Sequence, residues 1–164
     1  MGGTSYLLDA NVFIQAARQY YAFDLVPTFW EILVDLARSG RIRSIDRVRD
    51  ELLRGKDDLA DWVGEHFSDA FASTNDEEVI QGYREIIAWV MDQDQYLEAP
   101  KNQFADGADG WLVAYALSKG YTLVTHEVLN LAAKSKLPSP NVCRAFGVEF
   151  LNVFEMLREL RIRL

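Results

Sequence analysis

The chain is 164 residues long, 49% hydrophobic and 12% aromatic, which suits one compact domain with a substantial core. Its net charge of −8 excludes a protein held on nucleic acid by a general basic field, and no apolar run approaches the roughly 20 residues that span a bilayer. The single Cys143 excludes an internal disulfide and a cysteine zinc site; with no basic-then-apolar leader, the expected compartment is the cytosol and no membrane contact is expected.

Tyr6-Leu7-Leu8 is a short apolar run that predicts a buried first strand, ending in Asp9-Ala10-Asn11. Val12, Phe13, Ala16 and Tyr20 share one stripe of a helix over 12–20. Pro27 suits the first turn of a second helix, whose apolar residues Phe29, Trp30, Leu33, Leu36 and Ala37 recur up to Ser39-Gly40. Ile42-Arg43-Ser44-Ile45 alternates as a strand, and Asp46 is the expected N-cap of a helix carrying Val48, Leu52 and Leu53. Asp57 or Asp58 opens a further helix through Phe67, and 69–72 is a candidate short strand.

Asn75-Asp76-Glu77-Glu78 places acids at the positive end of a helix expected to run to about Asp92. Gln93 to Gln103 is polar, contains Pro100 and predicts a loop; Asp106 to Lys119 predicts one alanine-rich helix ended by Gly120. Tyr121 to Thr125 predicts a strand, Asn141 a helix cap, Val148 to Leu151 a last strand, and Asn152 to about Arg161 a last helix. Short apolar strands alternating with helices predict an α/β fold: a three-layer α/β/α domain over 1–164, with a central parallel sheet of about four or five strands and a helical insertion over approximately 57–104.

Four acids stand where such a fold turns toward its cleft: Asp9 and Glu127 just past strand ends, Glu51 on the helix after the second strand, and Asp109 opening a helix. Each has an alternative. Asp9-Ala10-Asn11 also reads as a helix cap. Asp50 competes with Glu51, because successive helix positions diverge by about 100° and only one faces the cleft. Asp106 shares a helix face with Asp109 and is the more natural N-cap. His126 points to the opposite side of an extended chain from Thr125 and Glu127. Arg43, Arg47 and Arg49 are candidate phosphate contacts, with surface ion pairs as the alternative. Trp30, Trp62, Trp89 and Trp111 read as core, while Tyr96, in the polar loop, is a candidate base-stacking platform.

In their combination and order, Leu8-Asp9-Ala10-Asn11, Val48-x-x-Glu51-Leu52, Ala108-Asp109-Gly110-Trp111 and Thr125-His126-Glu127 resemble the PIN-domain nucleases, in particular the VapC-like toxins of prokaryotic toxin–antitoxin pairs. The resemblance covers essentially the whole chain. It implies a PIN-like fold and an RNA endonuclease dependent on Mg²⁺ or Mn²⁺. Asp9, Glu51, Asp109 and Glu127 would be the catalytic and metal-binding acids. Asn11, Thr125 and Asp106 would be the supporting residues that orient carboxylates or a water. It also implies an RNA substrate, a cognate antitoxin and a homodimer. The fourth motif departs from the family, which commonly has Thr-x-Asp where this chain has Thr125-x-Glu127, one methylene longer. The chemistry suits the residues: Mg²⁺ and Mn²⁺ prefer oxygen ligands, and two such ions about 3.5–4 Å apart activate a water and stabilise a leaving oxygen. The competing reading is a catalytically weak PIN-like module that binds RNA or protein without cutting it.

Overall fold

The computed structural model describes residues 3–164; Met1 and Gly2, part of the stretch read for a leader, lie outside it. Its strands are β1 (Tyr6–Leu8), β2 (Ile42–Ile45), β3 (Phe71–Ala72), β4 (Thr122–Val124) and β5 (Phe150–Leu151). They form one all-parallel sheet in the order β3-β2-β1-β4-β5. Leu7 pairs with Arg43 on one side and Leu123 on the other. Tyr6, Leu7 and Leu8 are all buried, as a central strand covered on both faces must be.

The helices are α1 (Ala10–Gln15), α2 (Pro27–Arg38), α3 (Asp46–Arg54), α4 (Asp58–Trp62), α5 (Glu77–Met91), α6 (Glu98–Asp106), α7 (Asp109–Lys119), α8 (Ser139–Phe146) and α9 (Val153–Glu159). α1, α3 and α4 pack together, α5 to α8 form another packed group, and the layers enclose one continuous apolar core. The α/β/α architecture expected from the strand–helix alternation is the observed one. Wide π-type turns at Ala16–Tyr20 and Val63–Phe67 extend α1 and α4, so the stripe through Tyr20 is not one regular helix. Gly120 and Gly147, both at left-handed backbone angles near φ +70°, close α7 and α8 where an L side chain would be strained.

Local expectations fail where side chains found distant partners. Gln93–Gln103 is not all loop: α6 begins at Glu98, with Pro100 in its first turn, where a missing N–H costs little, and with Pro100, Lys101 and Phe104 buried. Asp106 to Lys119 is not one helix, because the backbone extends at Gly107; Asp106 therefore ends α6 rather than capping α7. Asp46 is not an N-cap but the first residue of α3. Its carboxylate accepts from the Arg47 N–H at 2.8 Å and from the Thr74 N–H and hydroxyl at 3.0 and 2.9 Å, tying α3 to the segment after β3. Asn141 lies inside α8 and spends its amide on Tyr96 and Asn130. The stretch 57–104 is not wholly helical, since it supplies β3.

Candidate functional site: a carboxylate cleft at the sheet's carboxyl edge

The strand order reverses between β1 and β4, and in open parallel sheets the crevice at such a point, beyond the carboxyl ends of the strands, is where ligands bind. β1 runs into Asp9, whose N–H donates to the Val124 carbonyl at 2.9 Å, holding the ends of β1 and β4 together. Asp9 occupies the N-cap position of α1, yet its carboxylate makes no cap bond. One carboxylate oxygen instead accepts from the Thr125 hydroxyl at 2.9 Å and from the Asn11 amide at 3.2 Å. The Asn11 amide also donates to the Thr125 hydroxyl at 3.1 Å, and its carbonyl accepts from the His126 N–H at 3.0 Å. Asp9 is thus buried and fixed by residues from two adjacent strand ends.

Asp109 is the first residue of α7. Behind it Gly110 sits so close to α5 and α6 that an added Cβ would stand 3.1 Å from Tyr83 and 3.2 Å from Ile87. Tyr83 stacks on Trp111, with ring centroids 3.8 Å apart and an interplanar angle of 6°, and its hydroxyl donates to the Ala105 carbonyl at the end of α6. That packing sets where Asp109 emerges. Glu127 extends from the β4 end. Its N–H donates to the Thr125 hydroxyl at 3.1 Å, and its carboxylate accepts from the Ser139 N–H at 2.7 Å, at the start of α8.

The four acids act on one another. Burial first, then the charge of Glu127, push the Asp9 carboxyl up to about 7, against the pull of the Thr125 hydroxyl; Glu51 adds a smaller repulsion. Burial first, then Asp9, Glu127 and Glu51, push Asp109 up to about 8. Among the described residues none of these carboxylates has an ion-pair partner. Such a set of hard oxygen donors with surplus negative charge fits Mg²⁺ or Mn²⁺ in chemistry. It is not a ready-made ligand shell: among the described residues no three His, Cys, Asp or Glu side chains converge as a metal-holding group. The carboxylates repel without meeting, and Glu127 is drawn toward Ser139.

The other sequence candidates separate. Glu51 is exposed, but its charge reaches Asp9 and Asp109, whereas Asp50 binds Arg49 at 3.1 Å on the solvent side. Asp106 is exposed at the end of α6, where it adds a little to the rise that burial gives the Tyr83 phenol against the pull of Arg47; it makes no hydrogen bond to a site carboxylate. His126 rests against Tyr20 and Phe154, and burial lowers its pKa. Arg47 lies 4.1 Å over the Trp111 ring and donates to the Thr74 hydroxyl, and Arg43 lies near Tyr115. Tyr96 is not a free platform: it is buried, and its hydroxyl accepts from Asn141 at 2.8 Å.

Two cavities adjoin the acids. One of about 340 Å³ borders Glu51 and includes Arg18; the other, of about 690 Å³, has Asp109 and Glu127 in its wall and includes Lys136. Arg43, Arg47 and Arg49 line neither cavity. Reading along the chain missed Arg18, Lys136 and the Ser139 amide, which reach this edge only through the packing of loops. The Pro138-Ser139-Pro140 helix start was the one local signal, a backbone donor with no intrahelical acceptor at a positive helix end.

No curated protein matches the chain significantly. A family model described as a domain of unknown function, DUF4411, matches residues 6–164. That span runs from β1 to the end of the chain and takes in every site residue described above, so the chain belongs to the DUF4411 family.

Proposed function

We propose that the chain is a PIN-like endoribonuclease that uses Mg²⁺ or Mn²⁺ to hydrolyse RNA phosphodiester bonds, acting as the toxin of a type II toxin–antitoxin pair. One observation carries the nuclease reading. Asp9 and Asp109 stand at the reversal point of a parallel sheet with their carboxyls driven to about 7 and about 8, and with no cation paired to them or to Glu51 and Glu127 among the described residues. A protein that buries surplus carboxylate charge without a counter-ion loses stability unless a cation or proton supplies one. The toxin role, the antitoxin and the homodimer rest on the motif resemblance, with which the parallel sheet is compatible.

Asp9 and Asp109 would hold the ion directly, with Glu51 at the exposed side and Glu127 reaching it by leaving the Ser139 amide. When bound, the ion would supply an activated water and charge stabilisation for the departing oxygen. The chain's own residues do the rest. Thr125 and Asn11 fix the plane of the Asp9 carboxylate, the Tyr83–Trp111 stack sets the height of Asp109, and Asp109 must shed a proton at neutral pH before it can bind a cation.

The test is cleavage of a panel of tRNA and ribosomal RNA fragments by purified protein. Cleavage is expected with Mg²⁺ or Mn²⁺, and neither with chelator present nor for Asp9→Asn. Full activity in chelator, or in Asp9→Asn, overturns the reading. The engagement of Glu127 with Ser139, and the lack of a converged ligand set among the described residues, favour the second reading, a module that binds RNA or protein without cutting it. RNA retained by the wild-type chain but uncut with either ion would establish that one.

A further inference from the structure

Arg47 and Glu51 lie one turn apart on α3, so their side chains leave the same face of the helix. That face borders the buried stripe of Val48 and Leu52, which seats α3 in the group it forms with α1 and α4. Asp109 starts α7, in the group formed by α5 to α8. Glu51 and Asp109 therefore reach the site from two separately packed groups of helices.

A stack of three flat side chains bridges those groups. The Arg47 guanidinium lies 4.1 Å from the centre of the Trp111 ring, two residues beyond Asp109. Tyr83 of α5 lies 3.8 Å from the same side chain and nearly parallel to it, at 6°. Two groups this close cannot share one face of a ring, so Trp111 is sandwiched between Arg47 and Tyr83. Both ends of the stack are tied. The Arg47 Nε donates to the Thr74 hydroxyl at 3.3 Å, and that hydroxyl donates to the Asp46 carboxylate at 2.9 Å. At the other end the Tyr83 hydroxyl holds the Ala105 carbonyl. A planar, pre-oriented guanidinium is the cation that suits such a contact.

Among the described residues Arg47 makes no ion pair. Glu51 is exposed, and its charge repels Asp109, which by itself pushes α3 away from α7. Carboxylates that serve one cation need the opposite, a separation fixed by the groups around them. We infer that Arg47 is a positioning residue: by stacking on Trp111 it clamps α3 to α7, so that Glu51 faces the cation that Asp9 and Asp109 take up. The inference rests on the metal-site reading of these acids. It moves Arg47 from phosphate contact to the support of a carboxylate.

Charge and geometry predict opposite signs here. Arg47 is a cation on the face of Glu51, so by charge alone its removal tightens the uptake of a divalent cation. Loss of the clamp weakens it. The test is calorimetric titration with Mn²⁺ of the wild type, Arg47→Ala, Glu51→Gln and the double variant. Arg47 is exposed and alanine is a good helix former, so Arg47→Ala should keep the wild-type circular-dichroism spectrum. It should weaken Mn²⁺ binding about threefold to fivefold, the size of an exposed cation–ring contact. In the Glu51→Gln background the same substitution should weaken it no further, because no carboxylate is left to position.

Arg47→Ala that binds Mn²⁺ as tightly as the wild type, or more tightly, overturns the clamp. Equal losses in both backgrounds also overturn it, since Arg47 then acts on the fold as a whole. A fall of about 0.7 in the slope of log K against log salt for single-stranded RNA, at unchanged Mn²⁺ affinity, assigns Arg47 to a phosphate and overturns it as well. RNA cleavage by the wild type in any of these cases leaves the nuclease reading intact. The expected Mn²⁺ pattern in a chain that never cuts RNA keeps the clamp and removes the nuclease. A wild-type chain that takes up no Mn²⁺ overturns both.

Discussion

Asp109 shows how much one side chain's surroundings matter. In an unfolded chain its carboxyl ionises near 4, whereas in the fold burial and the charges of Asp9, Glu127 and Glu51 hold it up to about 8. Asp9 rises to about 7 for the same reasons, with burial again the largest. A raised carboxyl favours the fold while protonated. The contribution of this pair is therefore full below about pH 4 and is lost as pH climbs through about 7 and about 8. In the cation-free protein, Asp109→Asn should raise Tm at pH 9 by at least about 2–4 °C, corresponding to about 1 kcal/mol or more, and by clearly less at pH 4, where the unfolded carboxyl is itself largely protonated. A variant less stable at both values would show that the Asp109 charge is not strained. That the charge of Glu51 bears on Asp9 and Asp109 while Asp50 pairs with Arg49 was legible in the helical period, because Glu51 borders the buried Val48 and Leu52 face. The fates of Arg47 and Tyr96 were not legible, since both depend on partners far along the chain, Trp111 and Thr74 for one and Asn141 for the other.

The break between α6 and α7 places Asp109 at a helix start, and packing rather than propensity makes it. The run from Gln93 to Gln103 reads as loop because it is polar and contains a proline, but burial of Pro100, Lys101 and Phe104 outweighs the weak local preference. Gly110 is where the cost concentrates. Tyr83 is held by its stack on Trp111 and its bond to Ala105, so it cannot retreat from a new methyl group. Overpacking costs about 1–3 kcal/mol and the better helix former returns about 1 kcal/mol. Gly110→Ala should therefore lose about 1 kcal/mol net, read as a lower denaturant midpoint at unchanged slope. An equal or higher midpoint would mean that the stack yields. Strands and most helices were legible because alternation and apolar stripes are local signals; the π-type turns, the start of α6 and the internal place of Asn141 were not, because distant contacts decide them.

Across the whole molecule, one parallel sheet brings β1, β4, α3 and the start of α7 to a single edge, and with them four acids from positions 9 to 127. Chain order alone predicted parallel strands; the β3-β2-β1-β4-β5 order, which puts the reversal beside Asp9, emerged only from the fold. Among the described residues no helix is long and apolar enough to cross a membrane. The acids repel in the cation-free chain and have no ion-pair partner among the described residues, so the fold should bind a divalent cation and release protons as it does. Calorimetric titration with Mn²⁺ at pH 7, repeated in buffers of different ionisation enthalpy, measures both together. Binding with release of about one proton at pH 7, falling toward none at pH 9 and lost in Asp9→Asn and Asp109→Asn, is the expected result. A folded wild-type chain that takes up no Mn²⁺ at millimolar concentration, or one that binds it equally well without Asp9 and Asp109, would contradict it.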